Sequence, residues 1–91
     1  MGGLRHFTLE LDRPAEGWGD LHDVAARARH VADEMREEGK AVRFLRSVFV
    51  PEDDTCFLLY ESPNAASVRE AARRAELAAG ALHTTIPEVE R

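Results

Sequence analysis

The chain has 91 residues, of which 12 are basic and 17 are acidic, so its formal net charge is −5 near pH 7. This surplus of negative charge argues against binding to nucleic acid or to an anionic membrane, since both require a basic surface. The length predicts one domain, residues 1–91, with a core small enough for a partner subunit to add stability. With a single cysteine, no signal peptide and no long apolar segment, the sequence predicts a cytoplasmic protein without disulfides.

The first part of the chain predicts a strand followed by a helix. Apolar and polar residues alternate from His6 to Asp12, which is typical of a half-buried strand. Asp20 is the expected N-cap of the helix, and Gly39 is the expected left-handed residue that ends it. The predicted buried stripe of this helix consists of Leu21, Val24, Ala25, Ala28, Val31, Ala32 and Met35.

The middle of the chain predicts a β-hairpin. Residues 42–50 and 55–60 are rich in β-branched and aromatic side chains, and Pro51-Glu52-Asp53-Asp54 between them has the composition of a turn. The expected register pairs Val50 with Thr55, Val48 with Phe57, Arg46 with Leu59, Leu45 with Tyr60 and Phe44 with Glu61. Both faces of this hairpin are therefore substantially apolar, which is expected of a sheet that is covered on both sides.

A second helix and a last strand complete the chain. Ser62 or Asn64 is the expected N-cap of this helix, and Gly80 is the residue expected to end it. The predicted inner stripe consists of Ala65, Val68, Ala71, Ala72, Ala75 and Ala79. Residues 82–89 then predict a short strand, which Pro87 would confine to an edge of the sheet.

The order of these elements is βαββαβ, which indicates an α+β protein of the ferredoxin-like kind. In that arrangement, a four-stranded antiparallel sheet with strand order 4-1-3-2 carries both helices on one face. The other face is left bare, and a bare apolar face requires a cover. The simplest cover is a second copy of the chain, so we expect a homodimer packed sheet to sheet.

Three polar residues on the first and last strands are candidate metal ligands: His6, Glu10 and His83. If the apolar residues of these strands face the helices, all three face the bare side, with His83 nearer to Glu10 than to His6. Imidazole and carboxylate groups bind divalent metals and transfer protons, and Tyr60 or Cys56 across the sheet would contribute further ligand contacts. Two simpler interpretations remain open: polar residues hydrogen-bonded at a dimer interface, and Cys56 as a small buried side chain.

Two strand arginines, Arg43 and Arg46, are unusual because charged residues are uncommon between apolar strand positions. Arg46 is expected either to pair with Glu61 or to reach an anionic ligand, and the ion pair is the favoured interpretation. No HExxH, CxxC or His-x-His spacing occurs that would indicate a metal site directly.

The segment VRFLRSVFVPEDDTCFLLYESPNAASVREAARRAEL carries a family resemblance through its turn, its Thr-Cys-Phe strand start, its Glu-Ser-Pro helix entry and its Val-Arg-Glu-Ala run. Residues 43–89 resemble a family of small bacterial ferredoxin-like proteins of unknown function, one branch of which is described as nickel-binding. The resemblance implies a ferredoxin-like fold and a homodimer. In the nickel-binding branch the second helix tends to carry histidines, whereas residues 69–74 here are Arg-Glu-Ala-Ala-Arg-Arg.

Three functions are consistent with the sequence. The first is a homodimeric module that binds a divalent metal such as nickel, or a small ligand, between its sheets. The second is a dimeric α/β-barrel enzyme, such as a cofactor-free monooxygenase or cyclase, with His6 or His83 as proton carrier; this enzyme would require a closed, partly apolar pocket. The third is a purely structural subunit. The sparse polar residues favour the first interpretation over the second.

Overall fold

The computed structural model describes residues 4–13, 17–77 and 79–85. Within these residues it has the α+β composition predicted from the sequence. The elements are β1 (Arg5–Leu11), α1 (Leu21–Glu37), β2 (Arg43–Val50), β3 (Thr55–Ser62), α2 (Ala65–Arg74) and β4 (Ala79–Thr85), with a short 3-10 turn at Pro51–Asp53. Neither helix is long and apolar enough to cross a lipid bilayer in the part of the chain that the structure describes.

The strands form one antiparallel sheet with the order β2-β3-β1-β4. The central strand β1 pairs along its whole length with the other central strand, β3, and β2 and β4 lie at the two edges. This order agrees with the predicted order and is compatible with a ferredoxin-like arrangement.

One face of the sheet packs against both helices. The core between them contains buried side chains of β1, β3, α1 and α2: Phe7, Leu9, Leu11, Cys56, Leu58, Tyr60, Val24, Ala28, Val31, Ala32, Met35, Val68, Ala71 and Ala72. We call the opposite side the open face. Its alternate residues on the first three strands are His6, Thr8, Glu10, Arg43, Arg46, Val48, Phe57, Leu59 and Glu61. The open face therefore combines apolar side chains with several charged groups.

The hairpin register is as predicted from Val50 opposite Thr55 to Arg46 opposite Leu59, and it then shifts at a β-bulge. Phe44 lies opposite Tyr60, and Arg43 lies opposite Glu61, so the predicted pairs of Leu45 with Tyr60 and Phe44 with Glu61 are wrong. The extra residue turns Phe44 into the core, because a one-residue shift reverses the face of every side chain beyond it.

The burial of Phe44 explains why the bulge is favourable. Its ring is 7% exposed and meets the Tyr60 ring edge to face, with 5.5 Å between the centroids. The guanidinium of Arg29 lies 5.1 Å from the centre of the same ring, within the range of a cation–π contact. A regular strand would have placed this aromatic side chain on the open face.

The predicted boundaries of α1 are confirmed. The Asp20 carboxylate accepts a hydrogen bond of 2.9 Å from the backbone N–H of His22, as expected of an N-cap. Gly39 follows the helix with φ of +91°, a left-handed conformation that glycine adopts without strain.

The predicted C-terminal end of α2 is wrong. Asn64 caps its start, but the helix ends at Arg74, and Glu76 follows in a left-handed conformation with φ of +60°. Gly80 belongs to β4, where a β-carbon would lie 2.8 Å from the Asp12 carboxylate and 3.0 Å from the Glu10 carbonyl oxygen. This glycine therefore permits close strand packing and does not end a helix.

The earlier end of α2 moves the last strand toward the N-terminus. The strand runs from Ala79 to Thr85 and not from residue 82 to residue 89, and residues 86–89 of the predicted strand lie outside the described residues. Ala79 consequently belongs to β4, and Ala65 is exposed, so two members of the predicted inner stripe of α2 do not lie on it.

A group of ion pairs connects the end of α1 to α2. Arg74 donates hydrogen bonds to both carboxylate oxygens of Glu38, at 2.8 and 3.0 Å, and another of 2.7 Å to Glu70. Lys40 also binds Glu70. The bond from Arg74 lowers the pKa of Glu38, and the bonds from Lys40 and Arg74 lower the pKa of Glu70. Any stability that these pairs add is therefore present above the ordinary carboxyl pKa and is lost in acid.

Candidate functional site

The first feature of the open face is a contact between His6 of β1 and Glu61 of β3. These residues are direct partners in the antiparallel register, and the His6 Nε2 atom lies 3.2 Å from the Glu61 Oε2 atom. The two side chains are 36% and 20% exposed. The contact therefore places an imidazole and a carboxylate together at a position that solvent, a ligand or a second protein chain can reach.

The second feature is Arg43 of β2, which lies on the other side of Glu61. Its Nη1 atom is 3.6 Å from the Glu61 Oε1 atom, so each carboxylate oxygen has a different neighbour. We call these three residues the His6-Glu61-Arg43 row. The prediction that Arg46 pairs with Glu61 is wrong, because the bulge brings Arg43 to that position. Arg46 is exposed and forms no ion pair within the described part of the chain.

The predicted ligands Glu10 and His83 lie at other register positions than this row. Glu10 shares the open face with His6 but lies four residues away along β1, which is about 13 Å in an extended strand. The backbone of His83 lies opposite Thr8, midway between His6 and Glu10, and not nearer to Glu10 as predicted. The proposed roles of Glu10 and His83 as metal ligands remain predictions.

Tyr60 and Cys56 lie on the inner face, so the prediction that they share a site with Glu10 is wrong. Both belong to β3, opposite Phe7 and Leu11 of β1, and they are 0% and 1% exposed. Burial raises the pKa of the Cys56 thiol. The alternative interpretation of Cys56 as a small buried side chain is the one that the structure supports.

The buried hydroxyl of Tyr60 has no hydrogen-bond partner among the described residues. Burial raises the pKa of this hydroxyl well above its ordinary value. An unpaired buried hydroxyl destabilises a fold by about 1 to 3 kcal/mol relative to a paired one.

We therefore expect Tyr60→Phe to leave the free energy of unfolding unchanged or to raise it by about 1 kcal/mol, because the ring packing is kept and the unpaired group is removed. Urea denaturation at pH 7 measures this change. Above pH 10 the unfolded chain releases the tyrosine proton before the folded chain does, so the parent should lose stability as the pH rises and the variant should lose less. A variant that is less stable than the parent by more than about 1 kcal/mol would contradict this prediction, because it would mean that the Tyr60 hydroxyl forms a hydrogen bond in the folded protein.

The donor atoms of the row are suited to a transition metal but do not complete a site alone. Imidazole nitrogen and carboxylate oxygen are common ligands of divalent nickel, copper and zinc. Among the described residues, however, no cluster of three or more histidine, cysteine, aspartate or glutamate side chains could hold a metal ion. His6 and Glu61 thus provide two neighbouring donors, and further ligands would have to come from elsewhere.

A family of proteins described as nickel responsive protein SCO4226-like matches residues 11–84, which is most of the chain. The chain belongs to this family. The resemblance identified from the hairpin and second helix is thereby confirmed. The matched region includes Arg43, Glu61 and His83, and it begins after His6 and Glu10. No curated protein and no solved structure matches the chain significantly.

In this SCO4226-like chain, the two histidines of α1 are separate from the open face. His22 and His30 are exposed, and His30 lies 3.2 Å from Glu34 one turn along the helix. Pairs with this spacing are common on polar helix surfaces and add little stability. His6 differs from these two histidines because it lies on the open face and its carboxylate neighbour, Glu61, belongs to an adjacent strand.

Two clefts of this SCO4226-like protein are lined by residues that the structure describes. A small one of about 130 Å³ adjoins the row and is mainly apolar; its lining residues are Leu4, Arg36, Ala41, Val42, Arg43 and Glu61. A wider one of about 440 Å³ lies beside Trp18 at the start of α1, where the indole N–H donates a 2.9 Å hydrogen bond to Asp54. Both clefts are open to solvent.

Proposed function

We propose that this protein is a homodimeric nickel-binding module of ferredoxin-like fold, in which His6 and Glu61 supply ligands on the open face. The observation that carries the proposal is the contact of 3.2 Å between these two side chains in a member of a nickel-responsive family. The module binds the ion without chemical turnover, and we place it in the cytoplasm, where its unpaired cysteine would stay reduced.

The chemistry of the donors supports nickel. A neutral imidazole nitrogen and a carboxylate oxygen are ligands that Ni²⁺ accepts, often in a planar arrangement of four. One chain contributes two such donors, and a symmetric dimer contributes each donor twice. His83 and Glu10 are the next candidate ligands on the neighbouring strands.

The apolar part of the open face supports the dimer. Val48, Phe57 and Leu59 lie on this face and are half-buried or exposed in the isolated chain, with Val48 at 37% exposure. Both helices cover the opposite face, so a second sheet is the partner of matching shape. In this dimer, the charged row would lie at the margin of an apolar contact.

The test is a calorimetric titration with NiCl₂ near pH 7.5. We expect the parent to bind nickel, and we expect His6→Ala and Glu61→Gln each to weaken binding by at least roughly 100-fold, since each removes a direct ligand and loss of an outer partner of a ligand alone costs about 10- to 100-fold. His22→Ala is the matched control, because it removes an exposed imidazole on α1 and should change the affinity by less than about twofold.

Two results would count against this assignment. Nickel binding that is unchanged in both His6→Ala and Glu61→Gln would place the ion elsewhere in the protein. The absence of any binding by the parent would contradict the module itself. Circular dichroism of each variant shows that the fold has been kept.

A further inference from the structure

We propose that Trp18 is a hinged cover over the Phe49 side chain, and that the Asp54 carboxylate in the hairpin turn holds this cover closed. The cover opens as a local unit while the sheet and both helices stay folded. It lies at the end of the sheet opposite to the His6-Glu61-Arg43 row, and its action requires no metal ion.

Phe49 is the side chain that the cover shields. It lies opposite Cys56 in the hairpin register, so it belongs to the inner face of the sheet. The inner face is well covered at Phe44, which is 7% exposed, whereas Phe49 is 37% exposed even with Trp18 beside it. The Trp18 and Phe49 rings meet at 74° with 6.2 Å between their centroids, which is the edge-to-face arrangement that aromatic pairs favour. The indole therefore protects an aromatic side chain that the helices leave partly uncovered.

The carboxylate of Asp54 holds the cover through both of its oxygens. The Trp18 indole N–H donates a hydrogen bond of 2.9 Å to Oδ1, and the Arg13 guanidinium pairs with Oδ2. Asp54 has φ of +51°, a left-handed conformation that aspartate tolerates better than most residues. The residue that holds the cover thus belongs to the hairpin, whereas the cover itself belongs to the connection between β1 and α1.

The glycines on both sides of Trp18 are suited to a hinge. Gly17 has φ of +92° and Gly19 has φ of +66°, values that other residues rarely adopt. A β-carbon on Gly19 would meet no described atom within 4 Å, so the backbone conformation and not a lack of space favours glycine there. Hinges are short segments that absorb changes of φ and ψ. Trp18 also lines the cleft of about 440 Å³, so opening of the cover would remove one wall of that cleft.

Limited digestion with chymotrypsin measures this opening, because the enzyme cleaves after aromatic residues and Trp18 is the only tryptophan of the chain. A protease requires a locally opened segment, so the rate of cleavage after Trp18 follows the open fraction when opening is fast. Cleavage after Tyr60, which is fully buried in β3, requires the sheet to unfold and therefore measures global unfolding in the same sample. Mass spectrometry identifies both cleavage sites.

We expect Asp54→Gly to raise the rate of cleavage after Trp18 about fivefold to tenfold, the effect of losing one hydrogen bond at an exposed site, and to leave cleavage after Tyr60 unchanged. Glycine keeps the left-handed turn at this position. Asp53→Gly is the matched control, because it makes the same substitution in the same turn. The Asp53 side chain has no hydrogen bond or ion pair in the described part of the chain, so this variant should change either rate by less than about twofold.

Trp18→Phe tests the same bond from its other end. It keeps an aromatic ring and a chymotrypsin site but removes the N–H donor, so it should show a similar increase once the rate is divided by that of the unfolded chain. The double variant with Asp54→Gly should be cleaved little faster than either single variant, because both substitutions remove one shared interaction. Rates that multiply in the double variant, an equal increase in Asp53→Gly, or equal increases after Trp18 and Tyr60 would each contradict the cover.

Discussion

Substituting Leu59 by arginine should convert the proposed dimer into a monomer without unfolding the chain. Leu59 lies at the centre of the open face, between Arg46 of β2 and Thr8 of β1. An arginine there would meet the charge of Arg46 and would be buried without a partner when two sheets pack together. Burying an unpaired charge costs about 3 to 5 kcal/mol, so we expect the dimer affinity to fall by at least roughly 100-fold.

Light scattering coupled to size-exclusion chromatography measures this change in mass. Ala26→Arg is the matched control, because it adds the same side chain to an exposed position of α1 and should leave the dimer intact. Since Leu59 is only half-buried in one chain, the new side chain can reach solvent and the monomer should keep its circular dichroism spectrum. A dimer that survives Leu59→Arg would show that the open face is not the interface.

Much of the fold could be predicted because local patterns and tertiary packing agree in most elements. The alternation of apolar residues placed Phe7, Leu9 and Leu11 on one face of β1, and the structure buries all three. The cap at Asp20 and the glycine after α1 defined that helix from both ends. These signals depend on residues close in sequence, so they are readable without the fold.

The parts that could not be predicted depend on contacts between distant residues. Gly80 resembles a helix end in the sequence, but a glycine is required there because Glu10 of β1 and Asp12, just after that strand, approach it closely. The bulge in β2 depends on the core space available to Phe44, which the hairpin pattern does not reveal.

The candidate site could be predicted only in part, because it also depends on contacts between distant residues. The open-face position of His6 follows from the alternation in β1, and the structure confirms it. The predicted strand order placed β1 beside β3, but Glu61 was not identified as the neighbour of His6 because the register between these two strands is set by long-range contacts. The error in register also assigned the neighbouring cation to Arg46 instead of Arg43.

The most destabilising single change that we expect is Leu58→Ala. Leu58 is 0% exposed in the central strand β3, and it lies opposite Leu9, which is also fully buried. Deleting a buried leucine side chain removes apolar contacts and leaves a cavity, which together cost about 3 kcal/mol or more. Domains of this size are stable by only about 5 to 10 kcal/mol, so the loss is a large fraction of the total.

The next residue along the strand provides the control. Leu59→Ala removes the same atoms from the open face, where the side chain is half-buried in one chain, so it should lower the free energy of unfolding of a diluted sample by about 1 kcal/mol.

Urea denaturation at several protein concentrations distinguishes the contributions of the two faces of the sheet. The loss of stability in Leu58→Ala should be independent of protein concentration, because all the contacts of the Leu58 side chain lie within one chain. The loss in Leu59→Ala should grow with concentration, because a dimer held by the open face adds stability that depends on the amount of partner present. Equal losses in both variants at every concentration would mean that the helices and a second chain do not cover opposite faces of this sheet.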